Sequence, residues 1–187
     1  MRSGNTFAVA AFWLTNGRDR HVGRHIHTAA HVLEAVRLKI PVLVIVRDPR
    51  AVAVSHVLRR PALTVRDSLI DYVDFYRTLE PVRDSIVVVD FQTLVSDFPT
   101  VIDRVNAKFG TRFSSRPVDA AFQTEVTLLV EEMNRDESVS GGKVDELRVA
   151  RPSPERERFR PGPASELAFP KNQPYVERAA ATFERWQ

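Results

Sequence analysis

Two short, wholly apolar runs stand among a series of helically spaced stretches. Val42–Val46 and Ile86–Val89 are rich in β-branched residues and apolar throughout, the pattern of strands covered on both faces and therefore parallel and central. Helical spacing marks Phe7–Leu14, Ala29–Lys39 (through Ala29, Val32, Leu33 and Val36) and Ala51–Arg59. It recurs in a longer stretch carrying Leu69, Tyr72, Val73, Tyr76 and Leu79, in one through Val101, Ile102, Val105 and Phe109, and from Pro117 to about Met133. An amphipathic helix over Tyr175–Trp186 closes the chain.

Boundary residues agree with these elements. Ser3-Gly4-Asn5-Thr6 is a loop or cap before the first helix, and Thr64 with Asp67 makes a capping box. Pro99 sits near the start of a helix whose C-cap is Gly110. Thr15–Thr28 is polar connector, in which Arg24–Thr28 reads as a short strand with His25 and His27 on one face. Asn134–Glu166 is rich in Pro, Gly, Ser and charge, and its composition predicts a mobile segment. No repeat or second domain interrupts residues 1–187, and strands alternating with helices predict a single layered α/β domain.

Composition narrows the class. A chain of 187 residues can bury a substantial core, and 43% hydrophobic with 27% charged residues is globular rather than disordered. The net charge of +3 suits an anionic ligand but argues against nucleic acid as a partner. With no cysteine there is no disulfide, thiol nucleophile or cysteine-ligated metal, and a cytoplasmic location fits. Phe7–Leu14 only imitates a signal peptide, because no basic region precedes it, and no run reaches the ~20 apolar residues of a membrane span.

The chemistry gathers at two places. Arg47 follows the first apolar strand, at the end where parallel sheets bind ligands, and Asp48-Pro49 turns the chain into a helix that carries Ser55. A group held there would meet the donors of Arg47, the Ser55 hydroxyl and the positive helix terminus, which together suit a phosphate dianion. The second place is RSGNTF (Arg2–Phe7), a small loop feeding a helix whose first N–H groups lack intrahelical partners. Neither is a Walker A loop, which disfavours an ATPase or GTPase. Taken singly, each is also what an ordinary surface arginine or capped N-terminus would look like.

As a pair, these stretches resemble the sulfotransferases that use 3′-phosphoadenosine 5′-phosphosulfate (PAPS). RSGNTF is similar to their 5′-phosphosulfate loop, P-K-S-G-T-T-W. RDPRAVAVS is similar to their 3′-phosphate motif, R-N-P-K-D-V-A-V-S, with arginine and serine at the same offset. VDFQTLVSDFP (Val89–Pro99) is similar to the strand and turn near Y-E-D-L, and RHIHT falls where the family has K-T-H. The likeness covers roughly residues 2–113. It implies an α/β, three-layer P-loop-like fold with a mainly parallel central sheet flanked by helices. It also implies PAPS as co-substrate, no metal, and a small-molecule acceptor. Arg47 and Ser55 would bind the 3′-phosphate. The amides of Ser3, Gly4, Asn5 and Thr6, with the Thr6 hydroxyl, would hold the 5′-phosphosulfate. Arg2 would stabilise charge on the bridging oxygen, Phe7 would stack on adenine, and His27 would act as general base, a task suited to imidazole.

The departures are specific. Arg2 replaces lysine, Ala51 replaces an acidic residue, F-Q-T-L replaces Y-E-D-L, and no R-K-G-x-x-G-x-W-K segment follows. Arg151, Arg156, Arg158 and Arg160 could stand in for that segment, although a solvated charge run is the simpler reading. His21, His25, His27 and His31 crowd one region, with Asp19 and Glu34 as substitute bases; zinc is disfavoured, for want of H-E-x-x-H or cysteines. The strand expected before the phosphosulfate loop is missing. An upstream start is the favoured account, with a degenerate relative and strand donation as alternatives. The rival functions are a non-catalytic nucleotide- or partner-binding relative, a nucleic-acid-binding domain and a small-molecule kinase. Neither the acceptor nor the oligomeric state can be read from the residues.

Overall fold

The computed structural model describes residues 4–23, 28–140, 143–144 and 153–187. Its elements in chain order are α1 (Asn5–Asn16), α2 (Ala29–Arg37), β1 (Leu43–Val46), α3 (Pro49–Arg59) and α4 (Val65–Leu79). A 3-10 turn over Glu80–Ser85 leads to β2 (Val87–Asp90), α5 (Phe91–Ser96), α6 (Phe98–Phe109) and α7 (Ala120–Ser138). The two-residue strands β3 (Val139–Ser140) and β4 (Lys143–Val144) pair antiparallel, and α8 (Pro154–Phe159), α9 (Pro161–Glu166) and α10 (Gln173–Trp186) complete the chain. The strand expected over Arg24–Thr28 lies mostly outside the described residues.

The local signals act as their chemistry requires. Thr64 Oγ1 accepts from the Asp67 N–H at 3.1 Å while the Asp67 carboxylate accepts from the Thr64 N–H at 3.0 Å, which closes the capping box of α4. Gly110 ends α6 in the left-handed region at φ 66°. Lys39 takes the same conformation after α2, at φ 57°, while the Ile40 N–H returns to the Ala35 carbonyl at 2.9 Å.

The expected three-layer P-loop-like α/β fold is not what forms. The protein is mainly helical, and among the described residues β1 pairs with β2 alone, in parallel, with Leu43 opposite Val87 and Val46 opposite Asp90. The backbone shows why the sheet goes no further on one side. The Val87 N–H donates to the Val42 carbonyl, so in this register Leu43 and Ile45 direct their main-chain groups away from β2. On that outer edge the Ile45 carbonyl accepts from the Tyr76 hydroxyl at 3.1 Å, and the Arg47 carbonyl accepts from the Tyr72 hydroxyl at 2.9 Å. Both tyrosines belong to α4 and are buried, and burial pushes both phenols upward, so they remain protonated donors. Side chains from a helix thus take carbonyls that a third strand would use.

Alternation along the strands divides the interior in two. Ile45, Val87 and Val89 face a core shared with α1, α6 and α7, where Ala8–Ala11 are buried as a run. Val44 and Val46 face a second core built from α2, α3, α4 and α10. In it Trp186 is fully buried, with its ring 5.0 Å from that of Tyr76 and its Nε1–H donating to Glu80 at 3.2 Å. Among the described residues no helix is long and apolar enough to cross a membrane.

Candidate anion-binding site

The register of β1 and β2 sets the site. Val46 lies opposite Asp90, so the next residues, Arg47 and Phe91, leave the carboxyl end of the strand pair side by side. Each strand then turns sharply into a helix. Asp48 caps α3 by accepting from the Ala51 N–H at 2.9 Å, with Pro49 in the first turn. Asp90 caps α5 by accepting from the Thr93 N–H at 2.9 Å and from the Thr93 hydroxyl. Burial pushes the Asp90 carboxyl upward, but these bonds and those from neighbouring amides outweigh it, and the net displacement is downward.

With both turns fixed, the Arg47 guanidinium lies over the Phe91 ring, 4.2 Å from its centre. The same ring meets the start of α1. Gly4 takes φ 92°, and a Cβ there would fall 2.6 Å from Phe91 Cδ2 and Cε2, so only glycine admits this approach. The start of α1 and Arg47 thereby pack on the same ring, although they are far apart in sequence. Gly4 occupies the N-cap position without a side-chain cap, and Asn5 and Thr6 form the first turn of the helix.

Ser55 stands deeper in α3 than its sequence suggested, because the helix begins at Pro49. Its Oγ accepts from Arg156 Nη2 at 2.8 Å, which leaves the serine O–H as a donor. Arg156 belongs to α8, whose N-cap is Ser153, and α9 packs against α3. Within the segment expected to be mobile, Pro154–Phe159 and Pro161–Glu166 form α8 and α9.

The charges in this region are predominantly of one sign. Burial lowers the Arg47 pKa, the charge of Arg160 lowers it further, and Asp48 partly offsets both. Burial likewise lowers Arg156, joined by the charges of Arg47, Arg160 and Arg59, with Glu157 opposing. Glu157 is itself paired with Arg160 at 3.3 Å. Four arginines therefore act on one another against two carboxylates, an imbalance that a dianion would neutralise. The Arg47 and Arg156 guanidiniums remain charged at neutral pH despite this lowering.

The sequence-derived site residues divide into three groups. Gly4 and Arg47 meet on Phe91, with Asn5 and Thr6 in the helix turn that follows Gly4, and Ser55 is tied to Arg156, whose charge acts on that of Arg47. Phe7 is half-buried and packs against the first core. Arg2, Ser3 and His27 lie outside the described residues, as does His25. Of the substitute bases, Glu34 is held by Arg37 at 2.6 and 2.8 Å; that hydrogen bonding keeps its carboxyl below the usual range, which suits it poorly for accepting a proton. His31 shares a hydrogen bond with Thr28 at the start of α2.

Phe91 and Arg59 were not anticipated, and Arg156 and Arg160 were read first as solvated charge. Phe91 could have been found by aligning the ends of the two apolar runs in parallel. Arg156 could have been found from Ser153-Pro154, a cap followed by proline in the first turn.

These features define a mainly helical protein with a positively charged site at the carboxyl end of a parallel strand pair. No family model, no curated protein and no solved structure matches the chain.

Proposed function

We propose that the protein is a sulfotransferase that moves a sulfuryl group from PAPS to a hydroxyl or amine of a small-molecule acceptor. The observation that carries this reading is the meeting of the α1 N-terminus and Arg47 on one aromatic ring, with Ser55 and Arg156 adjoining. That juxtaposition brings two anion-holding elements onto one ring, and a nucleotide with 3′- and 5′-anionic groups would engage both. Arg47, Arg156 and Ser55 would take the 3′-phosphate, and the amides and hydroxyl of Gly4, Asn5 and Thr6 the 5′-phosphosulfate.

In the transfer, an acceptor oxygen or nitrogen attacks sulfur and the bond from sulfur to the bridging phosphate oxygen breaks. His27 takes the acceptor proton, and Arg2 stabilises the charge left on 3′-phosphoadenosine 5′-phosphate. Positioning and charge stabilisation supply most of the acceleration, and the scheme needs no metal. A cytoplasmic setting, where PAPS would be available, belongs to the same proposal.

A thermal-shift titration with 3′-phosphoadenosine 5′-phosphate, beside 5′-AMP and ATP, tests the reading. The expected result is stabilisation by the 3′-phosphorylated nucleotide that is absent with AMP and lost in Arg47→Ala. Equal response to all three nucleotides, or to none, overturns it. Binding without turnover of PAPS across a panel of phenols, alcohols and amines would instead favour a non-catalytic nucleotide-binding protein.

A further inference from the structure

Phe91 touches both halves of the site. Its face carries the Arg47 guanidinium at 4.2 Å, and its Cδ2 and Cε2 atoms pack against Gly4 so closely that no Cβ fits between them. The ring is itself well anchored. It occupies the first position of α5, where Asp90 caps the helix, and it packs against the core that contains Leu94 and α1. Arg47 is fixed from behind by the hydrogen bond from Tyr72 to its carbonyl. Its side chain, by contrast, has a flat aromatic surface as its defined support, and a guanidinium on such a surface is held in plane.

We propose that Phe91 is a positioning residue that fixes the distance between the two anion-holding elements, so that one nucleotide engages both together. This rests on the reading of Arg47 as a 3′-phosphate ligand and of the α1 N-terminus as a 5′-phosphosulfate ligand. A ligand that reaches two subsites binds the second at an effective concentration set by how firmly their spacing is held. A rigid spacer gives the nucleotide bearing both groups a large advantage over one bearing a single phosphate. A loose spacer lets each subsite bind as before but removes the advantage.

The quantity to measure is the ratio of the dissociation constant of 5′-AMP to that of 3′-phosphoadenosine 5′-phosphate, by calorimetry on the full chain. Wild type should show a ratio on the order of 100, within the range that linked subsites provide. Phe91→Leu, which keeps apolar volume but has no aromatic face, should lower that ratio about tenfold, whereas Phe91→Tyr, which keeps the face, should hold it within about threefold. A merely structural role predicts otherwise: a lower Tm with the ratio unchanged.

Gly4→Ala gives a second route that leaves the ring in place. Its Cβ would force the loop and Phe91 apart, so it too should lower the ratio, whatever the folding of the leucine variant. The outcomes separate the two claims. A wild-type ratio near one defeats the PAPS reading itself. A high wild-type ratio that survives in Phe91→Leu, or in Gly4→Ala if the leucine variant fails to fold, leaves that reading standing and overturns the role of Phe91.

Discussion

Arg156→Met separates the stability of the site from its use. Arg156 donates to Ser55 at 2.8 Å, but it does so from a half-buried position among Arg47, Arg160 and Arg59. Burial and like charge lower its pKa, so the folded state disfavours the charge that the unfolded chain carries without penalty. The sign follows from linkage. For a base whose folded pKa is depressed, the destabilisation is present at every pH below the folded value and is relieved only as pH rises through it. For an arginine that lies above the physiological range, so substitution, not titration, removes the penalty.

Methionine keeps the apolar stem and discards the charge. The hydrogen bond it removes is worth about 1.5–3 kcal/mol, as bonds to charged groups are. Relief of desolvation and repulsion opposes that loss, so the ligand-free Tm should stay within about 4 °C of wild type, at 2–4 °C per kcal/mol for a chain of this size. Binding has no such compensation. Loss of a charged contact to the 3′-phosphate weakens affinity by about 12- to 140-fold at 1.4 kcal/mol per decade. A concentration of 3′-phosphoadenosine 5′-phosphate that stabilises wild type by about 2.7 kcal/mol would stabilise a variant of 100-fold weaker affinity by about 0.4 kcal/mol. Differential scanning fluorimetry with and without ligand reads both quantities. A variant that loses about 8 °C without ligand yet keeps the full ligand shift would refute the reasoning, because Arg156 would then be a structural tie.

Other predictions concern the scaffold. Tyr76→Phe leaves the buried Ile45 carbonyl without its hydroxyl donor and should cost about 1–3 kcal/mol, read as a lower midpoint in urea with an unchanged m-value. Lys39→Gly relieves a left-handed residue after α2 and should raise stability by about 0.5–1 kcal/mol; a fall would mean that the lysine side chain outweighs the backbone strain. The Glu132 and Glu125 carboxyls are lowered by hydrogen bonds from Arg18 and Arg116, so their contribution is present above the usual carboxylate pKa and is lost as pH falls through the depressed values. Tm should therefore decline more steeply in acid for wild type than for a Glu125→Gln, Glu132→Gln double variant, and parallel curves would remove these pairs from the account.

Sequence and structure part company at identifiable places. The capping box at Thr64, the glycine after α6 and the apolar runs of β1 and β2 were legible because each is a local requirement of backbone geometry. The layer architecture was not. Unbroken apolar runs report burial on both faces, and helices provide that burial as well as neighbouring strands do. What occupied the edge of β1 was a pair of tyrosine hydroxyls twenty-five and thirty-one residues downstream of the carbonyls they meet, and helical spacing alone marks such tyrosines only as core. Within the site, Arg47 and Ser55 stood out because strand ends and helix starts are readable. Their partners did not, since Phe91 depends on strand register and Arg156 on tertiary docking of a stretch whose composition suggested disorder.

The tyrosines along β1 also bear on how the outer edge of that strand is covered. A strand edge with unsatisfied carbonyls is a template on which another chain can pair, and proteins often guard such edges with charges, prolines or bulges. β1 is uniformly apolar and carries none of these between Leu43 and Val46. Its protection comes from α4, whose hydroxyls reach the Ile45 and Arg47 carbonyls and whose rings cover the approach. That guard is only as durable as the packing of α4. Conditions that lift this helix while leaving the strands paired would uncover an aggregation-prone edge before the rest of the molecule unfolds.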